Sequence, residues 1–303
     1  MIRIVYMGTP HYAKEILKTL IDDEKIELPL VLTQPDRKAG RKGVLKAPEV
    51  KLLALEHNLK VLQPQKLSEE GIFEAIVEAK PDFIVVAAFG QLLPKSILDI
   101  APCINLHASL LPAYRGASPV QQSLLNSDKF TGVTAMLMEE GLDSGPILGY
   151  RYFKIPKDMI LPQLMSRLSE DACLLTREII HRFDRLQPME QNRAVATHCK
   201  KIKKSDGLVN LSDVKELYNK YRSYAGWPGV FLDGGIKISD IQWVDDKKYE
   251  RSGVILEIKD SSVVIAGING SIEIGTIQLA SKKAVNGKVY CMGRGLKVGH
   301  SLF

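Results

Sequence analysis

The sequence predicts an α/β fold, in which a doubly wound and mainly parallel sheet is followed by a small β-barrel. Up to about residue 187, short apolar runs alternate with amphipathic segments, the typical order of a parallel sheet covered by helices. Residues 83–88 are apolar at every position, as expected for a strand that is buried on both faces. Beyond residue 188, the pattern changes to short strands separated by turns rich in Gly, Asp and Asn.

Alternating elements fill the first half of the chain. Pro48 lies in the first turn of a predicted helix, where proline is tolerated, and Ser68 is the predicted N-cap of the next helix. We expect helices at 11–20, 47–58 and 69–79. The predicted strands are 2–7, 28–33, 59–62, 83–88 and 104–107.

Three further elements complete a first predicted domain, residues 1–187. Strands at 131–138 and 147–153 are joined by a glycine-rich turn, and residues 161–186 form a long predicted helix. The helix has an apolar stripe that is typical of a core-facing surface, formed by Leu164, Leu168, Leu175, Ile179 and Phe183.

We interpret the polar residues 188–206 as a linker and residues 207–303 as a second domain. One helix is predicted at 213–224, before strands at 229–233, 236–243, 253–258, 262–266, 271–278 and 287–291. A run of about five short strands favours a barrel of the OB type, and such barrels often bind oligonucleotides.

Composition argues against a membrane protein. The mean hydropathy is −0.04, and the longest apolar runs are far shorter than a bilayer requires. The first residues have the pattern of a strand rather than that of a signal peptide. The four cysteines, at 103, 173, 199 and 291, lack the spacing of a zinc or redox motif. We therefore expect a cytoplasmic protein with unpaired thiols.

The net charge of +6 is unevenly distributed. Residues 193–303 carry 18 Lys and Arg against 11 Asp and Glu, whereas residues 1–192 carry 23 against 24. This asymmetry favours a polyanionic partner, with nucleic acid ahead of a membrane surface. A solvated basic face that binds nothing explains the charge equally well.

Three polar residues could form a catalytic centre. Asn105 and His107 stand two residues apart on a predicted strand, so their side chains leave the same face. Asp143 lies in the glycine-rich turn and could reach them through the fold. An amide, an imidazole and a carboxylate suit acyl transfer to an amine, because they can hold an oxyanion, move a proton and orient the imidazole. The alternatives are a structural histidine and a plain hairpin turn, which also favours Asp and Gly.

Two other kinds of chemistry are disfavoured near these residues. Gly8-Thr9-Pro10 follows the first strand without the glycine spacing of a dinucleotide or P-loop motif, so NAD or ATP binding is not expected. Ser109 lies close to His107, but the chain has no nucleophile elbow. We expect Ser109 to order the turn that follows.

A basic loop follows the second predicted strand. Five of the eleven residues 36–46 are Lys or Arg, and two are glycine. A mobile basic loop beside a catalytic centre suits a phosphate-bearing substrate, and the alternative is a solubilising loop. A second basic cluster, residues 198–204, lies in the predicted linker.

Several motifs follow one another in a recognisable order. They are Met7-Gly8-Thr9-Pro10, Thr33-Gln34-Pro35-Asp36-Arg37 with Arg41, Asn105-Leu106-His107 with Ser109 to Pro112, Arg115-Gly116-Ala117 with Pro119 and Gln121, Gly141-Leu142-Asp143 with Pro146, and Trp227-Pro228-Gly229. With them the chain resembles the methionyl-tRNA formyltransferases, from residue 1 to about residue 235. All 10-formyltetrahydrofolate-dependent formyltransferases share the Asn/His/Asp set, whereas the Gln-Pro-Asp-Arg and Trp-Pro-Gly segments indicate the tRNA branch.

The resemblance implies formyl transfer from 10-formyltetrahydrofolate to the α-amine of methionyl initiator tRNA, for translation initiation. It implies a Rossmann-like formyltransferase domain, a monomer, no metal, and Asn105, His107 and Asp143 as catalytic residues. The folate would lie against an apolar wall of Leu92 and Leu93 and against Phe89, Gly90, Ser109, Leu110, Leu111, Pro112, Met138, Glu140 and Gly141. The tRNA would contact Arg37, Lys38, Arg41, Lys42, Lys200, Lys201 and Lys203.

Three other functions would use some of the same residues. An N-formyltransferase acting on an amino-sugar nucleotide would need the Asn/His/Asp set but neither the basic loop nor a basic barrel. A hydrolase of 10-formyltetrahydrofolate would direct the same set at water. A non-catalytic tRNA-binding protein would need only the fold. Residues 205–211 and 282–303 match the family loosely, so the tRNA contacts of the barrel are the least defined.

Overall fold

The computed structural model describes residues 1–39 and 43–303, along which strands and helices alternate. The helices are α1 (His11–Ile21), α2 (Glu49–Glu56), α3 (Ile72–Glu78), α4 (Lys95–Leu98), α5 (Pro119–Leu125), α6 (Leu161–Arg182), α7 (Val214–Ser223) and α8 (Gly287–Gly293). The strands are β1 (Ile2–Gly8), β2 (Ile26–Leu32), β3 (Arg37–Ala39), β4 (Val44–Lys46), β5 (Val61–Leu62), β6 (Phe83–Ala87), β7 (Cys103–His107), β8 (Arg115–Gly116), β9 (Phe130–Leu137), β10 (Ile147–Lys154), β11 (His198–Cys199), β12 (Val230–Leu232), β13 (Ile236–Asp245), β14 (Ile255–Ile258), β15 (Val263–Gly267), β16 (Gly270–Gln278) and β17 (Val285–Asn286).

The chain divides into two units. The first unit comprises Met1–Pro119, Phe130–Lys154 and Met165–Lys200, and the second comprises Val120–Lys129, Ile155–Leu164 and Lys201–Phe303. Most of the segment that was interpreted as a linker therefore groups with the first unit, and two short segments from the first half of the chain group with the second.

A seven-stranded sheet forms the framework of the first unit, in the order β10-β9-β7-β6-β1-β2-β5. The ladders that join β7, β6, β1, β2 and β5 are parallel, and β9 and β10 extend one edge with antiparallel pairing. The predicted, mainly parallel α/β fold is confirmed.

Successive residues of β1 enter cores on opposite faces of this sheet. Val5 and Met7 belong to a core that includes Ile76 of α3. Tyr6 points to the other face, where it is fully buried and donates a hydrogen bond to the carbonyl of Ala13 in α1 at 2.5 Å. Helices cover both faces, which is why β6 is apolar at every position.

An antiparallel sheet organises the second unit, in the order β12-β13-β16-β15-β14, and β17 pairs with β16. Alternate residues of its strands, such as Ile265 and Ile274, form a core with Val214 and Leu217 of α7. The strand-rich second domain is confirmed, and its assignment to the OB type stays a prediction.

Three local predictions were wrong. Residues 287–291 form α8 instead of a strand, because the Asn286 side chain accepts a hydrogen bond from the Val289 N–H and caps a helix there. Helix α3 begins after Gly71, not after Ser68, because the Glu69 side chain accepts from the Lys66 N–H and closes a turn instead. The long helix ends at residue 182, and Phe183–Arg185 is a 3₁₀ turn.

Candidate active site

Strand β7 presents two polar side chains on one face. Asn105 and His107 lie two residues apart on it and are 9% and 6% exposed. The strand pairs with β6, where Asn105 is opposite Val86, and with β9, where His107 is opposite Thr134. Ladders on both sides hold the backbone of both residues, so their side chains start from a rigid support.

The turn between β9 and β10 brings Asp143 against that face. Its Oδ1 accepts a hydrogen bond from Asn105 Nδ2 at 3.3 Å, and its Oδ2 lies 3.3 Å from His107 Nε2. Oδ2 also accepts from the backbone N–H of Gly116 at 2.8 Å. The structure thus brings the three predicted side chains together, and their catalytic roles stay a prediction.

Ser109 determines which nitrogen of His107 keeps its proton. The serine hydroxyl donates to the carbonyl of Ala113 at 2.6 Å, so it must accept at its 2.9 Å contact with His107 Nδ1. Nδ1 therefore carries the proton of the neutral imidazole. Nε2 is buried and has no aligned hydrogen-bond partner within the part of the chain that the structure describes.

Asp143 is ionised in this environment. Burial acts to raise the pKa of its carboxyl, but the His107 side chain, the Gly116 N–H and the Arg115 charge outweigh burial and hold that pKa below its usual value. A fixed negative charge therefore lies beside His107. Burial raises the pKa of the nearby Cys199 thiol, which disfavours a thiolate nucleophile in the site.

The residues predicted to hold a folate differ in exposure. Leu92 is 71% exposed, whereas Leu93 is 6% exposed and packs in the same core as Ile97 of α4. The predicted wall of two leucines is therefore reduced to Leu92, because Leu93 turns inward. The exposed members are Gly90, Leu92, Glu140 and Gly141, the half-buried ones Leu110, Pro112 and Met138, and the buried ones Phe89, Leu93, Ser109 and Leu111.

The basic loop begins and ends as a β-hairpin, in which β3 pairs with β4. Residues 37–39 and 44–46 are therefore paired strands within the segment that was predicted to be a mobile loop. Arg37 and Lys38 of β3 are exposed. The other two predicted tRNA contacts of this loop, Arg41 and Lys42, lie outside the described residues.

A hydrogen-bonded cluster holds the base of this hairpin. Asp36 lies 2.8 Å from Lys51 Nζ and accepts from Gln63 Nε2 at 2.7 Å. Arg37 Nη2 donates to Gln34 Oε1 at 2.7 Å. These contacts fix the first residues of the hairpin to the chain that follows β2 and to α2, so its exposed cations start from a fixed base.

The predicted contacts Lys200, Lys201 and Lys203 are all exposed. Among the described residues, none of these lysines forms an ion pair. Lys200 belongs to the first unit, and Lys201 and Lys203 belong to the second. Such cations keep their full charge available to a phosphate.

Two buried residues beside Asp143 were missed by the sequence analysis. Arg115, 7% exposed, stood in one of the motifs but received no role, and Gln191, 6% exposed, fell in the predicted linker. Arg115 could have been found from its motif. A single glutamine in a polar stretch gives no signal, because its burial depends on residues far away in the chain.

Within residues 1–39 and 43–303, no group of three or more His, Cys, Asp and Glu side chains is arranged to hold a metal ion. No helix in the same ranges has the length and apolar character needed to cross a membrane.

Two family models match the chain. The one described as formyl transferase matches residues 2–177, and the one described as formyl transferase, C-terminal domain, matches residues 201–295. A relative named methionyl-tRNA formyltransferase, from a Sulfurovum species, is 55% identical over 300 residues, which are 99% of this chain and 99% of the relative.

Solved structures share the fold. An N-formyltransferase from Helicobacter canadensis, in complex with folinic acid and dTDP-3-aminofucose, has a TM-score of 0.68 and 17% identity, over 92% of this chain and all 100% of that one. A methionyl-tRNA formyltransferase from Clostridium thermocellum has a TM-score of 0.58 and 17% identity, over 90% of this chain and 99% of that one. At such low identity, the likeness concerns the fold alone.

Proposed function

The chain belongs to the formyl transferase family, and we propose that it transfers the formyl group of 10-formyltetrahydrofolate to the α-amine of methionyl-tRNA. One observation supports this above all. The Asn105, His107 and Asp143 cluster lies in a chain that is 55% identical, over nearly its whole length, to a relative named methionyl-tRNA formyltransferase. The product, N-formylmethionyl-tRNA, serves translation initiation, and we infer that the acceptor is the initiator tRNA.

The hydrogen-bond donors of the site fit a formyl group. His107 Nε2 is buried without an aligned partner, and the contact with Asp143 uses one of the two N–H bonds of the Asn105 amide. A buried polar atom that is left unpaired costs free energy, and Nε2 becomes a donor when the imidazole is protonated, so both groups then favour a ligand oxygen between them. The folate, when bound, supplies an activated formyl group, whose carbonyl oxygen is able to accept these hydrogen bonds.

The chain's own groups then act in three ways. Asn105 and protonated His107 donate hydrogen bonds to the formyl oxygen and stabilise the negative charge that develops there as the amine attacks. Ser109 keeps the imidazole in the orientation that directs Nε2 into the site. Asp143 stabilises the imidazolium, and its ionised carboxylate is able to accept the amine proton and to pass it to the leaving nitrogen of tetrahydrofolate as the bond from that nitrogen to the formyl carbon breaks.

We infer that the exposed and half-buried members of the predicted folate set hold the cofactor. Leu92 offers an exposed apolar surface, and Met138 and Leu110 are half-buried. Buried members such as Phe89 and Leu93 act through the position of the backbone. Leu93 is part of a core and is not free to contact a ligand over its whole side chain.

We infer that the exposed cations bind the phosphates of the tRNA acceptor arm. They include Arg37, Lys38, Arg41 and Lys42 of the basic hairpin and Lys200, Lys201 and Lys203. Residues 207–303, which carry 13 Lys and Arg against 10 Asp and Glu, would form the tRNA-binding domain, and residues 1–187 the catalytic domain. We expect the protein to act as a cytoplasmic monomer.

A three-acceptor assay tests the proposal. The protein is incubated with 10-formyltetrahydrofolate and either methionyl-tRNA, an amino-sugar nucleotide or no acceptor, and the formyl group and the released tetrahydrofolate are both quantified. We expect formylation of methionyl-tRNA alone. Formylation of the sugar nucleotide, or folate release without an acceptor, would replace the proposal by one of the alternative enzymes. Binding of tRNA without turnover would indicate a non-catalytic protein.

A further inference from the structure

A buried glutamine outside the predicted site, Gln191, forms hydrogen bonds to the turn that contains Asp143. Gln191 Nε2 donates to the carbonyl of Asp143 at 2.9 Å and to that of Gly145 at 2.8 Å. Its Oε1 accepts from Arg115 Nε at 3.0 Å and from Arg115 Nη2 at 2.7 Å. The nitrogen and the oxygen of the Gln191 amide therefore both form hydrogen bonds.

The orientation of this amide follows from its neighbours. A guanidinium has only donors and a carbonyl oxygen only accepts, so the amide oxygen must face Arg115 and the amide nitrogen must face the turn. A flipped amide would place donor against donor and acceptor against acceptor in a buried site. The link from Arg115 to the turn thus needs a neutral side chain with an oxygen and an NH₂ group at this length.

The turn is one that needs a restraint. Asp143 has a φ of 49°, in the left-handed region that is unfavourable for a residue with a side chain. Gly145 is packed so closely that a Cβ there would lie 2.1 Å from the carbonyl oxygen of Leu137. Gln191 binds the carbonyls of both turn residues and so stabilises this conformation.

We propose that Gln191 is a positioning residue for formyl transfer. It holds the Asp143 turn and the Arg115 guanidinium in one arrangement, so that the Asp143 carboxylate meets Asn105 and His107. The inference rests on the proposed function, which supplies the reaction in which Asp143 acts.

Gln191 belongs to a part of the chain that lies between the two family matches, residues 2–177 and 201–295. That part is nevertheless built into the first unit, since Met189 bridges to Ile147 and β11 pairs with β8. The segment that was interpreted as a linker therefore completes the site.

Arg115 also acts on the charge of Asp143. Asp143 faces the imidazole of His107 and the amide of Asn105 from β7, the guanidinium of Arg115 from β8 and the thiol of Cys199 from β11. Of these groups, the guanidinium is a permanent cation and favours the ionised carboxylate. Loss of the glutamine amide removes the acceptor that holds this cation, so the pKa of Asp143 should rise toward its ordinary value.

Two variants of the full chain test the two sets of hydrogen bonds that Gln191 forms, one set with Arg115 and the other with the turn. Gln191→Met keeps the length of the side chain and removes the bonds to Arg115 and to the turn, whereas Gln191→Glu keeps an acceptor for Arg115 and removes the donors. For Gln191→Met, we expect kcat to fall about 10- to 100-fold while both KM values stay within about threefold. The acid limb of its kcat profile should move to higher pH. In Gln191→Glu kcat should also be low, and the acid limb should move at least as far to higher pH, because the added carboxylate neutralises the Arg115 charge and repels the Asp143 carboxylate.

Leu168→Ala is the control for a loss of stability, because it removes fully buried apolar surface from α6 without removing a polar link to the turn. Its kcat should stay at the wild-type value under conditions in which it is folded. The double variant Gln191→Met/Asp143→Asn should be no slower than Asp143→Asn. Losses that multiply, or a wild-type kcat and pH profile for Gln191→Met, would overturn the inference. A wild-type protein that transfers no formyl group would instead defeat the proposed function.

Discussion

Two polar regions of this chain differ in how their charged and polar side chains are surrounded. They are the cluster of Asn105, His107 and Asp143 and the basic segments. In the cluster, Asp143 accepts two hydrogen bonds and lies beside an imidazole, and all three side chains are largely buried. Lys38 and Lys201 are exposed cations. In the cluster, the polar side chains contact one another, whereas in the basic segments the charged side chains are exposed to solvent.

This difference teaches where geometry matters and where only charge matters. A buried group acts through a fixed direction and a fixed protonation state, so a small displacement changes its chemistry. An exposed cation contributes mainly through its charge, and such contributions are screened by salt. Substitutions in the cluster should therefore change turnover, and substitutions in the basic segments should change tRNA affinity.

The substitution that tests this contrast most severely is His107→Ala. Loss of a donor to the formyl oxygen and of the imidazole that Asp143 stabilises should lower kcat by about 10³-fold or more. The Kd for the folate should change little, because the imidazole is not part of the predicted folate wall. Single-turnover kinetics and folate titration measure the two quantities. Near-wild-type turnover would remove His107 from the mechanism.

Removal of three exposed charges should have the opposite signature. Replacing Lys200, Lys201 and Lys203 together by Gln should weaken tRNA binding and lower the slope of log affinity against log salt by about one for each phosphate contact that is lost. Turnover at saturating tRNA should stay close to the wild-type value. The measurement is tRNA binding at several salt concentrations.

A matched triple variant controls for charge alone. Lys25 and Lys60 precede parallel strands, so they lie at the amino edge of the sheet, and Lys18 lies on α1; all are exposed. Replacing these lysines by Gln removes the same charge and should leave the salt slope close to that of the wild type. Equal slopes for both triple variants would mean that the net charge acts, and not the basic cluster.

Within the predicted folate set, Leu92 and Leu93 allow an exposed residue to be compared with a buried one. Leu93→Ala should destabilise the fold by about 2–5 kcal/mol, because Leu93 is buried in a core. Leu92→Ala should leave the free energy of unfolding nearly unchanged and raise the KM for the folate a few fold. Urea denaturation and steady-state kinetics separate the two. If Leu92→Ala left the KM unchanged, the exposed leucine would not be part of the folate site.

The smallest expected effect concerns the charge of Asp143. Its pKa is lower in the folded chain than in the unfolded chain, so its carboxylate stabilises the fold above the unfolded pKa of about 3.9. That stabilisation disappears as the pH falls through the folded pKa. The stability difference between the wild type and Asp143→Asn, measured by urea denaturation, should therefore shrink from about pH 5 to about pH 3. A difference that is independent of pH would show that the charge does not stabilise the fold.

Much of the framework could be predicted from local patterns. The alternation of apolar strands and amphipathic helices indicated the parallel sheet, and the two-residue spacing placed Asn105 and His107 on one face. The errors occurred where a side chain overrode the pattern, as at Asn286, which caps a helix in a segment with the apolar content of a strand.

Contacts over long sequence separations could not be predicted in the same way. Asp143 meets a residue 38 positions earlier in the chain, and Gln191 meets one 76 positions earlier. Family motifs indicated the first of these contacts. Nothing in the residues around Gln191 indicated the second, because a polar segment of this kind is equally typical of a solvated linker.

The sequence by itself determined the types of most elements in the first sheet and the presence of an amide, an imidazole and a carboxylate, which the family resemblance related to formyl transfer. Only the tertiary structure decided that Nδ1 of His107 keeps its proton, that Asp143 stays ionised and that Leu93 turns inward. The physical reason is that periodicity acts between neighbours along the chain. Protonation and burial depend on which distant donors, acceptors and apolar surfaces the fold brings within a few ångströms.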